Sequence, residues 1–478
     1  MTVPTVHELT RDGFDKRFAS LNMPVLIVDA TRGWRSAKEW CSDAGTPDVA
    51  TLGKLFGHHM VTIHSAKSGC SEMTVSEYAQ WWASAEKVSG LLYLKDWHLA
   101  ALEPDYGAYT VPSCLGEDWL NEHWAARATG EGAAATASGG DHRFVYVGPA
   151  GSRTRLHADV LFSYSWSANV VGTKRWKLVP PEQLHLVSDA ATLARRPDLD
   201  EIPGITAIEI VQKSGELLFV PSGWYHQVEN LTDCISINHN WLNAHNVDWA
   251  LVKLLSVLKC VKTGLDAEDS TDGELCEDLL DRRCGMGLGG LCALLEGVIR
   301  RRISRTAADG VAEGGGGDGG GRGGGCGGEG AGAKGGDGGG DSGDSGSSAG
   351  TRSGSGNGSG NSVDDAFAIK RAATVLRHAL NAMEREYEME TLQPSVQLAM
   401  VRQGELVDGL GVKVQGAGPT LATLALGSWD GDGDGHLGAP GESMDSDEEG
   451  VAQSKRHRKA ETYAANRGAK RARRPNLP

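Results

Sequence analysis

The chain has 478 residues and a formal net charge of −15, but 66 of those residues are glycines, many of them in one long Gly/Ser/Asp tract, so the stock of core-building residues is far smaller than the length suggests. One substantial folded unit with tails is expected rather than three domains. Nine cysteines without a CxxC pair, and an N-terminus with no basic stretch leading into an apolar segment, argue for a reducing intracellular compartment; no run approaches the ~18 apolar residues of a membrane helix, so a soluble protein with no membrane partner is expected.

Residues 1–130 mix apolar runs such as "MPVLIVDA" with "TVSEYAQWWASAEK", in which Val75, Tyr78, Trp81 and Trp82 recur at near-helical spacing. This reads as an α+β entry region of the main unit, closed by a surface loop at "EGAAATASGGD" (131–141). Within 131–245 the texture changes to short strand-like runs punctuated by Gly and Pro: "FVYVG", "TRLHAD", "SYSWSANVVG", "RWKLV", "AIEIVQ", "GELLFV", "HQVENL" and "ISINHNW". The pattern predicts a mainly β unit with flanking helices, a barrel or jelly roll.

Helices follow in 246–310, at "VDWALVKLLSVLKCV" and near "LCALLEGVIRRR". The 311–362 region is almost wholly Gly, Ser and Asp; it cannot bury enough apolar surface to offset backbone entropy and reads as a disordered linker. A further helix is predicted at 363–400, with Ile369, Ala372, Leu376, Ala379, Met383 and Tyr387 in one stripe, docking on the main body or pairing two subunits as a homodimer. The remainder, 401–478, reads as a disordered tail, acidic and then basic. In it "DGDGDGH" (430–436) imitates the start of an EF-hand loop, but the twelfth position from Asp430 is Gly441, so no calcium site is expected. The clusters "KRHRK" (455–459) and "KRARR" (470–474) read as a bipartite nuclear import signal or as a solvated tail. The expected location is the cytoplasm and, through that tail, the nucleus. No RNA-binding fold accompanies the basic clusters, and no direct nucleic-acid partner is expected.

In a strand, residues i and i+2 share a face, so His157 and Asp159 point one way while Leu156, Ala158 and Val160 point the other. By itself this is as readily a hydrogen-bonded pair as half of a metal site. A second block, "GELLFVPSGWYHQVENL", adds His226 after a Pro-Ser-Gly turn. Two histidines and one carboxylate form the facial triad that leaves coordination positions open on a non-haem iron. Lys174 in "GTKRW" is either a solvated turn lysine or an ammonium inside the barrel, where desolvation would demand an anionic partner such as a dicarboxylate. The alternating Ser163, Ser165, Ser167, Asn169 and Ser236, Asn238, Asn240 would give that barrel a polar, ligand-holding interior.

In this order, "TRLHAD", "GTKRW", "FVPSGWYHQV" and "ISINHNW" resemble the Jumonji-C family of Fe(II)- and 2-oxoglutarate-dependent oxygenases. With "LYLKDWHL" (92–99), the likeness narrows to the Jumonji-C domain-containing protein 4 type, over roughly residues 15–260. The resemblance implies a double-stranded β-helix in which His157, Asp159 and His226 bind Fe(II), and 2-oxoglutarate chelates the same metal before O2 reacts. It implies that Lys174 pairs with the distal carboxylate, with Thr154, Asn238 and Tyr93 hydrogen-bonding that end of the co-substrate. Ser167 departs from the Asn that several relatives carry at this place. The implied activity is protein hydroxylation, at a lysine of the eukaryotic translation release factor, influencing termination. The alternatives are a histone or other protein lysine demethylase, against which the absence of a Cys/His zinc module weighs, and a catalytically silent cupin-type binding module, which would predict a broken triad or a lost Lys174.

Overall fold

The structure is a computed structural model describing residues 2–65, 69–84, 87, 90–128, 140–187, 198–313 and 358–411. Most of the 131–141 loop, the glycine tract up to 357, the EF-hand-like segment and both basic clusters lie outside the described residues.

Thirteen strands are described: β1 (Thr5–Val6), β2 (Val25–Ile27), β3 (Met60–Ser65), β4 (Gly69–Thr74), β5 (Leu92–Trp97), β6 (Arg143–Gly148), β7 (Arg153–His157), β8 (Tyr164–Val171), β9 (Lys174–Val179), β10 (Ile208–Gln212), β11 (Leu217–Val220), β12 (Tyr225–Asn230) and β13 (Cys234–Trp241). They form a nine-stranded sheet, in the order β1-β2-β11-β8-β13-β6-β5-β3-β4, and a four-stranded sheet, β10-β9-β12-β7. Strands β1 and β2 pair in parallel and the other pairings are antiparallel. The chain is thus mainly β with flanking helices, folded as a double-stranded β-helix. All eight strand-like runs of the barrel region become strands of it, and β3, β4 and β5 from the entry region continue the large sheet past β6.

Period-two patterning explains why the large sheet is buried on both faces. On β8, Tyr164, Trp166, Ala168 and Val170 join the outer core with Ile235, Ile237 and Trp241 of β13. Their neighbours Ser165, Ser167 and Asn169 face the other way, paired in register with Asn240, Asn238 and Ser236. Between the sheets one end is apolar, filled by Leu178, Ile210, Leu218, Val220 and Trp176. The polar rows mark the other end.

The predicted helix in the entry region is Val75–Ala83, opened by a capping box in which Thr74 and Glu77 satisfy each other's backbone N–H groups. The C-terminal helices are Val247–Thr263, Gly273–Cys284, Leu288–Glu313, Gly358–Glu386 and Pro394–Gly409. Two of the sequence boundaries need correction. Helix intrudes on both ends of the expected 311–362 linker, and the expected tail begins inside a helix that starts on Pro394 and buries Met400, Gln403 and Val407. A proline at the first helical turn is pre-organised for that role, a signal that the weak amphipathicity of the following residues obscured. The 363–400 stripe is consumed within the chain: Ala372, Leu376, Ala379 and Met383 are fully buried in a core shared with Leu254, Leu291 and Leu295. Asp365, 1% exposed, accepts from Arg302 at 2.7 Å and from Arg305 at 2.9 Å, so one buried carboxylate ties two helices together, and Arg302 links them to Glu117 of the entry region.

Candidate functional site

A cavity of about 650 Å³ opens between the two sheets at their polar end. The large sheet contributes Tyr93, Tyr146, Ser165, Ser167 and Asn238 to its walls, and the small sheet contributes Thr154, His157, Lys174, Trp176 and His226. All seven residues singled out in the sequence, His157, Asp159, His226, Lys174, Thr154, Asn238 and Tyr93, line it. Asn169 and Ser236, fully buried, are not among its lining residues.

His157 and His226 face each other across the β7–β12 pairing, their ring centroids 4.2 Å apart. The turn between β11 and β12 delivers His226 through Gly223, whose φ of +74° is left-handed and beside which Trp249 leaves no room for a Cβ. A carbonyl oxygen can only accept, so the contacts fix both tautomers: His157 Nδ1–H donates to the Arg155 carbonyl at 2.8 Å, and His226 Nδ1–H donates to the Trp224 carbonyl at 3.0 Å. Each imidazole then carries its lone pair on Nε2, as a metal ligand requires.

Asp159 differs from the simple strand reading. Strand β7 ends at His157, and Asp159 lies past it, in extended conformation, at the entry to the turn Val160–Phe162. Its position is held by strain and by one hydroxyl. Leu161 and Phe162 have φ of +55° and +47°, rare for bulky side chains, and Leu161 is locked in the core at 1% exposure. Ser165 Oγ donates to Asp159 Oδ2 at 2.6 Å. The result is that one ligating atom each from His157, Asp159 and His226 fall within 4.8 Å of one another.

Deeper in the cavity, Lys174 is 2% exposed, and among the described residues no carboxylate pairs with its ammonium. Ser167 Oγ and Asn238 Oδ1 are buried without hydrogen-bond partners. Burial of an unmatched cation is costly, and an anionic ligand that accepts from Lys174 and from the Ser167 hydroxyl would offset that cost, whereas the Asn238 oxygen needs a donor. The Gln212 side chain braces this wall, accepting from Trp176 Nε1 at 2.8 Å and donating to the Ser167 carbonyl at 2.7 Å.

A second group has the same make-up: His58, His59 and Glu103. Here Trp97 Nε1, which can only donate, gives its hydrogen to His59 Nδ1 at 3.3 Å, so the proton of His59 is on Nε2 and is donated to Glu103 Oε1 at 3.1 Å. Burial lowers the His59 pKa, against the pull of Glu103, and keeps that tautomer neutral. This is a satisfied hydrogen-bond chain rather than a ligand set, with His58 on the surface beside it.

Sequence reasoning did not find Ser165 as the anchor of Asp159, the left-handed pair at 161–162, or the mouth residues Asp96, Tyr146 and Arg283. A serine two residues into a strand carries no local signal of its partner six positions earlier.

A cupin-like domain profile matches residues 11–246. The "2-oxoglutarate and iron-dependent oxygenase JMJD4" of Danio rerio is 34% identical over 329 residues, which cover 62% of this chain and 74% of the relative. The chain belongs to the Jumonji-C family of 2-oxoglutarate- and iron-dependent oxygenases. The Homo sapiens protein of the same name is 38% identical over 260 residues, 49% of this Jumonji-C chain and 59% of the relative. The "Arginine-specific demethylase JMJ20" of Arabidopsis thaliana is 39% identical over 305 residues, 59% of this chain and 66% of the relative. The match thus spans a little less than two thirds of the Arabidopsis and human relatives. The cupin-like match over 11–246 contains all three converging ligands and Lys174.

Proposed function

We propose that this protein is an Fe(II)- and 2-oxoglutarate-dependent protein hydroxylase acting on a lysine of the eukaryotic translation release factor, and so on translation termination. The observation that carries the oxygenase part is the convergence of one ligating atom each from His157, Asp159 and His226 within 4.8 Å, at a cavity that also holds a buried lysine with no carboxylate partner among the described residues. His157, Asp159 and His226 would hold the iron. The donor set suits it: two imidazoles whose tautomers are fixed by backbone carbonyls, and one carboxylate anchored by Ser165. Lys174 would take the distal carboxylate of 2-oxoglutarate, with Ser167, Asn238, Thr154 and Tyr93 supplying hydrogen bonds around it.

When bound, iron and 2-oxoglutarate supply the oxidation: O2 is divided between succinate, formed with CO2, and a substrate C–H that becomes C–OH. The protein's own part is positional. The backbone carbonyls hold the Nδ1 protons and aim the imidazoles, Ser165 keeps the carboxylate aimed, and Lys174 draws the dicarboxylate in while the sheets exclude water.

The release-factor assignment rests on the motif resemblance, and the proposed traffic between cytoplasm and nucleus rests on the basic clusters at 455–459 and 470–474. A second reading, demethylation of a methylated arginine, is favoured by the name of the Arabidopsis relative and, like lysine demethylation, uses the same oxidation on an N-methyl group, with formaldehyde released. One incubation separates them: iron-loaded protein, 2-oxoglutarate, O2, ascorbate and release factor, read by succinate and by peptide mass spectrometry. Succinate with an oxygen-atom mass increase on a lysine is the expected result. Succinate without that mark, with formaldehyde from a methylated peptide, would replace the hydroxylase by the demethylase. No succinate under any condition would leave a silent binding module.

A further inference from the structure

Strand β5 breaks register with β6 between Leu94 and Trp97: their partners are Val147 and Val145, so three steps on β5 match two on β6. The extra residue forms a β-bulge, a device that re-aims a side chain next to a site. Asp96 sits in it with φ of +53°, in the left-handed region that Asp tolerates better than most side chains. The bulge turns Asp96 to the mouth of the cavity, where it is exposed while its neighbours Lys95 and Trp97 are buried. Tyr146 donates its hydroxyl to Asp96 Oδ1 at 2.7 Å, which fixes the carboxylate. Tyr146 itself spans inward: burial first, then the charges of Asp96 and, further in, Asp159 hold its phenol well above the ordinary range.

Four carboxylates line this cavity. Asp159 belongs to the converging triad, and Asp141 is occupied by Arg143 and by His98 at 3.3 Å. Glu72 stands exposed on the edge strand β4, with no side chain among the described residues orienting it. Asp96 alone combines an aimed carboxylate with an open approach and an aromatic flank, since the Tyr146 ring lies 6.2 Å from Phe144 and nearly parallel to it, while the Tyr93 ring beyond already carries the Lys95 ammonium at 5.3 Å. A long side chain ending in a cation fits that arrangement: its methylenes lie on aromatic faces while its charge meets the carboxylate.

We infer that Asp96, aimed by the bulge and by Tyr146, is the counter-charge that selects a cationic substrate side chain at the mouth of this cavity. The inference rests on the oxygenase reading of the cavity but does not distinguish lysine from arginine. Asp96 is a specificity residue, remote from the triad's ligating atoms in role.

The test is a binding preference, measured by ligand-observed NMR on the full chain. The probes are N-acetyl-lysine and N-acetyl-arginine methylamides against the uncharged norleucine analogue. The natural chain is expected to favour the two cations by about two- to fivefold, the range of an exposed ion pair. Asp96→Asn is the informative variant, because Asn tolerates the same φ and still accepts from Tyr146, so only the charge is lost. It should bring the preference to about one, and Asp96→Glu should restore part of it. Equal binding of all three probes by the natural chain, or a preference that survives in Asp96→Asn, overturns the inference. Should Asp96→Asn fail to fold, Tyr146→Phe keeps the charge and removes its aim; the preference must then fall, and an unchanged one overturns the inference. The readout does not involve turnover, so a chain that makes no succinate loses the oxygenase reading separately. A chain that makes succinate but keeps its preference without Asp96 loses this inference alone.

Discussion

The two His-His-carboxylate groups of this protein, His157/Asp159/His226 and His58/His59/Glu103, contain nearly the same ligand types and differ in what stands behind them. Behind the first are acceptors, the carbonyls of Arg155 and Trp224, which draw the protons to Nδ1 and leave the lone pairs converging. Behind His59 is a donor, the Trp97 indole, which forces the opposite tautomer and turns the histidine into a hydrogen-bond donor for Glu103. Residue type and proximity therefore do not make a metal site; the polarity of the neighbouring group does.

The comparison breaks most sharply at the ligands. His157→Ala or Asp159→Ala is expected to lower succinate formation by on the order of a hundredfold or more while the circular dichroism spectrum stays native; a folded variant with near-normal turnover would dissolve the distinction between the two groups. Next comes Lys174→Ala, expected to raise the 2-oxoglutarate concentration at half-saturation by about tenfold or more, since the partner of a buried charge is lost. An unchanged half-saturation would remove Lys174 from the co-substrate's binding site. Ser165→Ala tests the anchor rather than the ligand: metal affinity, followed with Co(II) absorption, should fall by about tenfold, and a loss no larger than that of a surface serine would make the contact incidental.

Smallest is the effect at the other group. Glu103→Gln should leave Co(II) affinity untouched and cost about 1 kcal/mol of stability in denaturant unfolding. The pH dependence there has a definite sign. The His59 pKa is lowered in the folded chain, chiefly by burial. Below the unfolded value of about 6.5 the unfolded chain therefore takes up a proton that the folded one refuses. This contribution is fully present above that pH and declines as pH falls beneath it. In His59→Gln the decline below about pH 6.5 should be shallower, and an identical profile would mean that His59 is not held neutral by burial.

Much of this was legible in the chain because period-two alternation is a strong signal when one face is wholly apolar. On β8 and β13, Trp166 and Ile237 alternate with Ser167 and Asn238, and the register that pairs Ser167 with Asn238 follows from it. The motif order brought His226 to His157. What escaped depended on geometry without local pattern. Asp159 shares the cavity with His157 although it has left the strand, because Leu161 and Phe162 adopt a backbone that their sequence does not announce. Asp96 looks like one residue of an ordinary strand until the register with β6 slips. The helix from Pro394 carries so little amphipathic contrast that its composition reads as tail.

Lys174 has one further consequence. A chain that keeps an ammonium 2% exposed, with no carboxylate paired to it among the described residues, begins with a deficit in its own folding equilibrium. A dicarboxylate that fills that corner binds the native state alone, adding about 2.7 kcal/mol at a hundred times its dissociation constant. The protein's resistance to heat and to proteases would then rise and fall with the supply of its small-molecule ligand, making the metabolite a determinant of how much enzyme survives as well as of how fast it works.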